Sequence, residues 1–410
     1  MNDGVKLGQL NDGVRVSQFN KSRLALFTFL ALIFISLILR PPVAAIGPLI
    51  PEFVQREGLS FSEVGILASI SVFVFGLGAF TGPWLVKSFG LHRSMMLVIV
   101  ALILAMALRL VGGFTLLLIG TLVIGMAIAV GNVLIPTVVR EQFPNRIEII
   151  TGVYVTLLAV SASLAATIAV PLSNSFGSWR GSLGVWIIPA VLAMLFWLPV
   201  SRTKEVSEEV TAETHTAERK AVLRSPMTWA IVGFFGFQST GFYAVLNWLP
   251  SLLVERGMSE LEAGSLLGLT TFVGVPTAFL ISLVIKRLKS LSLISVFVSC
   301  LTLTGLSIIW FNHELVVVGC MIMGFGFAAT FPLSLTMIGT RASTASQTTQ
   351  LSALSQGWGY LIAASGTFLF GELRRLTGSW DVSLSMLAVM TLIQIVSGYL
   401  AGRNRQIPAE

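Results

Sequence analysis

"IPEFVQREGLSFSEVGIL", residues 50–67, and "LPSLLVERGMSELEAGSL", residues 249–266, are one passage written twice. Pro51 matches Pro250, Gly58 matches Gly257, Ser60 and Glu63 match Ser259 and Glu262, and Gly65 matches Gly264, all at the 199-residue offset from 51 to 250. Further along, "GSWRGSL" from Gly177 pairs with "GSWDVSL" from Gly378, and the basic loops beginning at Lys87 and Lys286 pair as well. The chain is therefore built from two like halves. Each Ser-x-x-Glu is a capping box, in which the serine accepts from the backbone three residues on and the glutamate returns to the serine N–H, so each copy opens a helix.

The surrounding composition says what kind of helices these are. Of 410 residues 55% are hydrophobic and 11% charged, with a mean hydropathy of +0.87, whereas a soluble domain carries roughly one charged residue in four. Apolar runs of about 17 to 25 residues each cross a bilayer core as one helix. Twelve lie between Leu24 and Leu400, six on each side of the polar interval "SRTKEVSEEVTAETHTAERKAVLR". The first run is a span and not a removable leader, because apolar character resumes at Val43 and no cleavage region follows. The fold class expected is an all-α membrane protein. Residues 24–200 and 225–402 each form a six-helix bundle, 201–224 a cytoplasmic linker, and 1–23 and 403–410 cytoplasmic tails. Halves related by an even number of spans share one orientation, and such carriers hold substrate between them.

With both termini inside, 19 of the 26 Lys and Arg fall on the cytoplasmic side, five outside and two within spans. That asymmetry sets the orientation in the membrane. The net charge of +7 then reports topology and contact with anionic lipid, not nucleic acid. The chain is expected to act as a monomer on a small-molecule substrate, with no cofactor or metal. Enzymatic chemistry is not expected either, since no nucleophile–base pair, metal-ligand cluster or phosphate loop stands out.

Five stretches resemble the major facilitator superfamily, and more narrowly its branch of bacterial cyanate and 2-nitroimidazole transporters. They are "LRPPVAAIGPLIP" in the first span, "GNVLIPTVVREQFP" from Gly131, "TGVYVTLL" from Thr151, "FQSTGFYAVLNWLPSLLVERGMSELEAG" from Phe237 and "LSALSQGWGYLIAASG" from Leu351. The resemblance implies two six-helix bundles that rock to expose a central site to one side and then the other. The superfamily's loop motif after the second helix, usually Gly-x-Leu-x-Asp-Arg-x-Gly-Arg-Arg, reads here "PWLVKSFGLHR". Lys87 stands in the acidic place and removes the acid around which the inter-bundle salt bridge is usually built.

Arg40 is the candidate site residue that needs no resemblance. At 1.5 Å per residue it lies about 24 Å from the inner end of its span and about 15 Å from the outer end, too deep to snorkel. Burial there costs about 2.5 to 3.5 kcal/mol even on the milder scale, so it must face a wet cavity or a partner. The three aspartates are Asp3, Asp12 and Asp381, and every glutamate lies in a tail, a loop or a helix end. Pro41, Pro42, Gly47 and Pro48 weaken the helix around it, and broken backbone at membrane depth is tolerated where it lines a cavity. A fixed charge with a planar five-donor fork suits an anion or a flat acceptor. The alternative is a structural arginine bonded to carbonyls that those prolines free.

The other candidates fall where the superfamily fold lines its cavity with helices 1, 4, 7 and 10 and their neighbours. Asn132 precedes Pro136 by one turn; Gln238, Tyr243 and Asn247 lie in the seventh span; Ser352, Gln356 and Tyr360 make one stripe on the eleventh. Arg40, Asn132, Gln238, Tyr243, Gln356 and Tyr360 form the expected substrate site, with Arg109, Asn247 and Ser352 secondary. Each polar residue has interhelical hydrogen bonding as its plainer use. Arg109 reads as an interfacial snorkeller, or else as part of the outer mouth. Phe234, Phe235, Phe237 and Phe242 read as packing, or alternatively as a cage for a planar substrate around Gln238. Trp197 and Trp248, each in "WLP", read as interfacial anchors. His92, His215 and His313 read as loop residues, leaving no titratable relay in the spans. That favours uniport, exchange, or a proton carried on the substrate. The leading reading is a carrier of a small anionic or weakly acidic solute, and the alternative is an exporter of planar drug-like compounds.

Overall fold

The computed structural model describes residues 23–59, 61–203, 212–288 and 290–408, and its regular elements are helical throughout. The crossings of the first half are α1 (Arg23–Leu49), α2 (Phe61–Ala79), α3 (Leu91–Arg109), α4 (Phe114–Gln142), α5 (Ile147–Phe176) and α6 (Ile187–Ser201). Those of the second are α7 (Pro226–Glu255), α8 (Glu260–Phe272 continuing as Gly274–Leu288), α9 (Leu291–Phe311), α10 (Val316–Arg341), α11 (Ala345–Thr377) and α12 (Trp380–Ala401). Ten helices of the described residues pass as membrane spans by length and composition; α2 and α11 complete the twelve. α11 falls short on apolarity because Gln347, Gln350, Ser352, Ser355 and Gln356 crowd its first turns.

The paired motifs build the same corner twice. In each "GSW" the glycine ends a helix with left-handed backbone, φ 65° at Gly177 and 70° at Gly378, where a side chain would be strained. The serine then caps the next helix: Ser178 Oγ accepts from the N–H of Arg180 at 3.2 Å, and Ser379 Oγ from that of Asp381 at 3.1 Å. The tryptophan packs inward, and its indole donates to an acid at a helix end: Trp179 to Glu57, last residue of the short helix Ile50–Glu57 that follows α1, at 3.0 Å, and Trp380 to Glu255, last residue of α7, at 2.7 Å. Arg180 and Arg374 pair with the same two acids. The Ser259–Glu262 capping box forms as expected; Ser60 lies outside the described residues.

The halves meet through α2, α4 and α5 of one and α8, α10 and α11 of the other. Small residues allow it, with Leu361 over Gly76 and the Phe80 ring over Gly357. At the end of the molecule carrying the described chain termini, the tail end, polar bonds tie the halves together. Thr137 and Thr349 share a hydrogen bond of 3.0 Å, and Arg140 donates to the carbonyls of Gly339 and Ser343, each at 2.7 Å. Carbonyls at a helix C-terminus carry partial negative charge and welcome a cation, so an acid at position 87 is not needed for this tie. At the opposite end the Glu57 and Glu255 corners stay within their own halves.

Two expectations are corrected here. Trp197 lies toward the tail end and is fully buried, its indole donating to the His92 carbonyl at 2.8 Å; Trp248 donates to the Thr367 carbonyl at 3.2 Å. The Trp197 indole is satisfied inside the bundle and does not need the membrane interface, while Trp248 is half-buried. His92 belongs to the first turn of α3 and not to a loop, and its Nδ1 stands 3.1 Å from the Thr203 hydroxyl.

Candidate functional site

The helix of α1 runs only to residue 38, bends at 39–40, and resumes as short turns, Pro41–Ala44 and Gly47–Leu49. Prolines cause this break, because neither Pro41 nor Pro42 has an N–H to give to the preceding turn. The Arg40 carbonyl now accepts from Val43 and Ala44 at 3.1 and 2.9 Å, while Ile46 turns to the Val43 carbonyl. That leaves the Pro42 carbonyl to a side chain. Arg109 of α3 supplies it, Nη1 to oxygen at 2.7 Å, from a site only 3% exposed. Arg109 is therefore no snorkeller. The structural duty expected as the alternative for Arg40 belongs to Arg109, and the Arg40 side chain is left for other partners.

Arg40 is half-buried, and its guanidinium lies among three phenols, Tyr243 of α7, Tyr360 of α11 and Tyr154 of α5. The protein has four tyrosines, so three of them converge on one charge. Tyr154 donates to Asn132 Oδ1 on α4 at 2.7 Å. Asn132 stands four residues before Pro136, which offers no N–H, so the Asn132 carbonyl loses its helical donor. Gln356 of the other half fills that place, donating from Nε2 to the Asn132 carbonyl at 2.9 Å and to Ser352 Oγ at 2.8 Å. A polar chain thus runs from Arg40 through Tyr154 and Asn132 to Gln356, crossing from one half to the other. Three buried atoms along it complete no hydrogen bond of good geometry: Asn132 Nδ2, Gln356 Oε1 and the Tyr360 hydroxyl. Buried polar atoms are rarely left so, and a donor, an acceptor and a hydroxyl along one seam can meet a small polar guest.

Aromatic rings close the wall. Tyr360 lies 5.7 Å from Phe75 of α2, 5.2 Å from Phe235 and 6.4 Å from Tyr243, centroid to centroid, and Phe235 in turn meets Phe331 of α10 at 5.9 Å. Of the four phenylalanines read as a possible cage, Phe235 joins this wall. Phe234 packs against Gly398 of α12 and Phe242 against Phe327 of α10.

Of the expected residues, Arg40, Asn132, Tyr243, Gln356, Tyr360 and Ser352 are brought together. Gln238 is not. Both ends of its amide are used, Nε2 by Ser239 Oγ at 2.7 Å and Oε1 by Thr330 at 3.4 Å, so it ties α7 to α10. Asn247 is exposed near the end of α7, away from these contacts. Tyr154 was missed, although it stands inside "TGVYVTLL" and is one of so few tyrosines.

Two like six-helix halves with a polar, partly unsatisfied seam between them define a membrane carrier, not an enzyme. The sequence profile of the Major Facilitator Superfamily matches residues 24–367, and the chain belongs to that superfamily. It is 32% identical to the 2-nitroimidazole transporter of Escherichia coli strain K12, over 94% of this chain and 98% of that one. It is 29% identical to the cyanate transport protein CynX of the same organism, over 92% and 98%. Its fold matches the Escherichia coli fucose:proton symporter FucP with a TM-score of 0.71 at 16% identity, covering 94% of this chain and 99% of that one.

Proposed function

We propose that this transporter carries a small, flat, anionic or weakly acidic solute between its halves by alternating access, with Arg40 meeting the solute's negative end. The observation that carries the reading is Arg40 among Tyr154, Tyr243 and Tyr360. Phenols can donate to the same anion that the guanidinium attracts, and they leave its charge uncancelled, which suits recognition by a planar fork. Asn132 Nδ2 and the Tyr360 hydroxyl are further donors for the guest. Cyanate and 2-nitroimidazole, named for the two relatives, share the needed features: delocalised negative charge or acidity, and no bulk. For a solute of three heavy atoms, a ceiling of about 1.5 kcal/mol per atom limits the Kd to roughly 0.5 mM.

A second reading rests on the ring wall of Phe75, Phe235 and Tyr243 around Tyr360. Those faces favour a nitro-aromatic ring, with Arg40 as a two-pronged donor to the nitro group rather than a counter-charge.

Proteoliposomes with membrane potential and pH gradient set independently separate the two. Labelled cyanate flux that follows the potential, and is lost in Arg40→Ala, supports the anion site. Movement of 2-nitroimidazole alone, indifferent to potential and lost in Arg40→Lys, supports the exporter. Normal transport by a folded Arg40→Ala contradicts both.

A further inference from the structure

Arg109 is an expensive residue to place where it is. Its side chain is 3% exposed and uses one recorded hydrogen bond, to the Pro42 carbonyl, while its Nε completes none. A buried charge of this kind costs several kcal/mol and persists where it serves function. The carbonyl it holds is two residues beyond Arg40, and the next two N–H groups, of Val43 and Ala44, bond back to the Arg40 carbonyl. Arg109 therefore holds the turn that begins at the Arg40 carbonyl. The approach is also built: α4 presents Gly120 under the Arg109 stem, and a methyl group there would fall 2.4 Å from Arg109 Cγ. The glycine keeps open the path by which α3 reaches α1.

We infer that Arg109 is a positioning residue for Arg40, pinning the unwound turn so that the guanidinium stays among the three tyrosines. The inference rests on the proposed role of Arg40 for its effect on transport, but not for its effect on the turn itself. With Pro41 and Pro42 lacking N–H groups and the N–H groups of Val43 to Ile46 all bonding within the turn, no ladder bond from these residues ties the turn to the helix before it. A charged donor on the Pro42 carbonyl replaces the lost support from outside.

Four proteins decide it: wild type, Arg109→Met, Arg109→Lys and Gly120→Ala. Gly120→Ala displaces the Arg109 stem while keeping every charge. Hydrogen exchange of the peptide covering 43–49 reads the turn, and phenylglyoxal modification of Arg40, followed by mass spectrometry, reads the placement of the guanidinium; neither needs a substrate. The inference predicts at least tenfold faster exchange and at least threefold faster Arg40 modification in Arg109→Met and Gly120→Ala. It also predicts substantial return toward wild type in Arg109→Lys, which keeps a charged donor of nearly the same reach. For cyanate or 2-nitroimidazole, KM should rise about tenfold with turnover within about twofold, as expected when binding geometry alone is disturbed. Unchanged exchange in both disrupted variants overturns the pin. Faster exchange with unchanged Arg40 modification overturns the positioning role. If wild type carries neither probe, the substrate reading fails while exchange and modification still decide the role of Arg109.

Discussion

The two halves share their corners and differ in their middles. Glu57, Trp179 and Arg180 close one corner as Glu255, Trp380 and Arg374 close the other, by the same glycine stop and serine cap. At the 199-residue offset of the repeated passage, Arg40-Pro41-Pro42 aligns with Ser239-Thr240-Gly241. In the first half that triplet breaks the helix and frees a charged side chain. In the second, α7 runs unbroken, Ser239 Oγ accepts from Gln238, and Thr240 bonds to the Gly236 carbonyl at 3.0 Å. Matched residues preserve shape, and the unmatched triplet creates the asymmetry from which the proposed site is made. In the proposed function, that asymmetric charge holds the guest on one side of a nearly symmetric frame while the other half moves across it.

That contrast can be pressed at several points. After Arg40 itself, the largest effect is expected at the tail-end tie, because Arg140 makes two charge-assisted bonds across the halves. Arg140→Met should shift the population about tenfold toward the state open at the tail end, read as longer distances between spin labels on the tail ends of α4 and α10. An unchanged distance distribution would remove Arg140 from the gate. Next come the corners, alike in bonds but unlike in burial: the Glu57 side chain is 13% exposed and that of Glu255 46%. Trp179→Phe should therefore cost about 1 to 2 kcal/mol of stability and Trp380→Phe less, measured by denaturation in detergent. The reverse order would show that packing, not the indole bond, dominates there. The smallest effect belongs to Ser239→Ala, which should leave transport within about twofold.

The fold was legible because its signals are long and repeated: runs of apolar sequence and a motif copied at a fixed offset. The Ser259–Glu262 capping box was legible too, since a cap acts within a few residues, whereas the two "GSW" stretches were legible only as a repeat and not as a glycine stop and a serine cap. Within the site, Arg40, Asn132, Gln356 and Tyr360 stood out as polar groups in apolar helices, and Pro136 marked the carbonyl that Gln356 takes. What stayed hidden depends on neighbours distant in sequence. Arg109 serves a carbonyl 67 residues away, and nothing in its own surroundings points there. Tyr154 faces Arg40 only through the rotation of α5. The bonds of Gln238 were hidden as well, since Ser239 beside it and Thr330 on α10 meet the two ends of its amide.

The most direct test is to compare Arg40→Ala with Ser239→Ala, the two matched positions, for labelled cyanate and 2-nitroimidazole uptake in the same proteoliposome preparation. The account predicts loss of transport of at least a hundredfold in a folded Arg40→Ala and near-normal transport in Ser239→Ala. Equal effects at the two positions, or normal transport by Arg40→Ala, would contradict it.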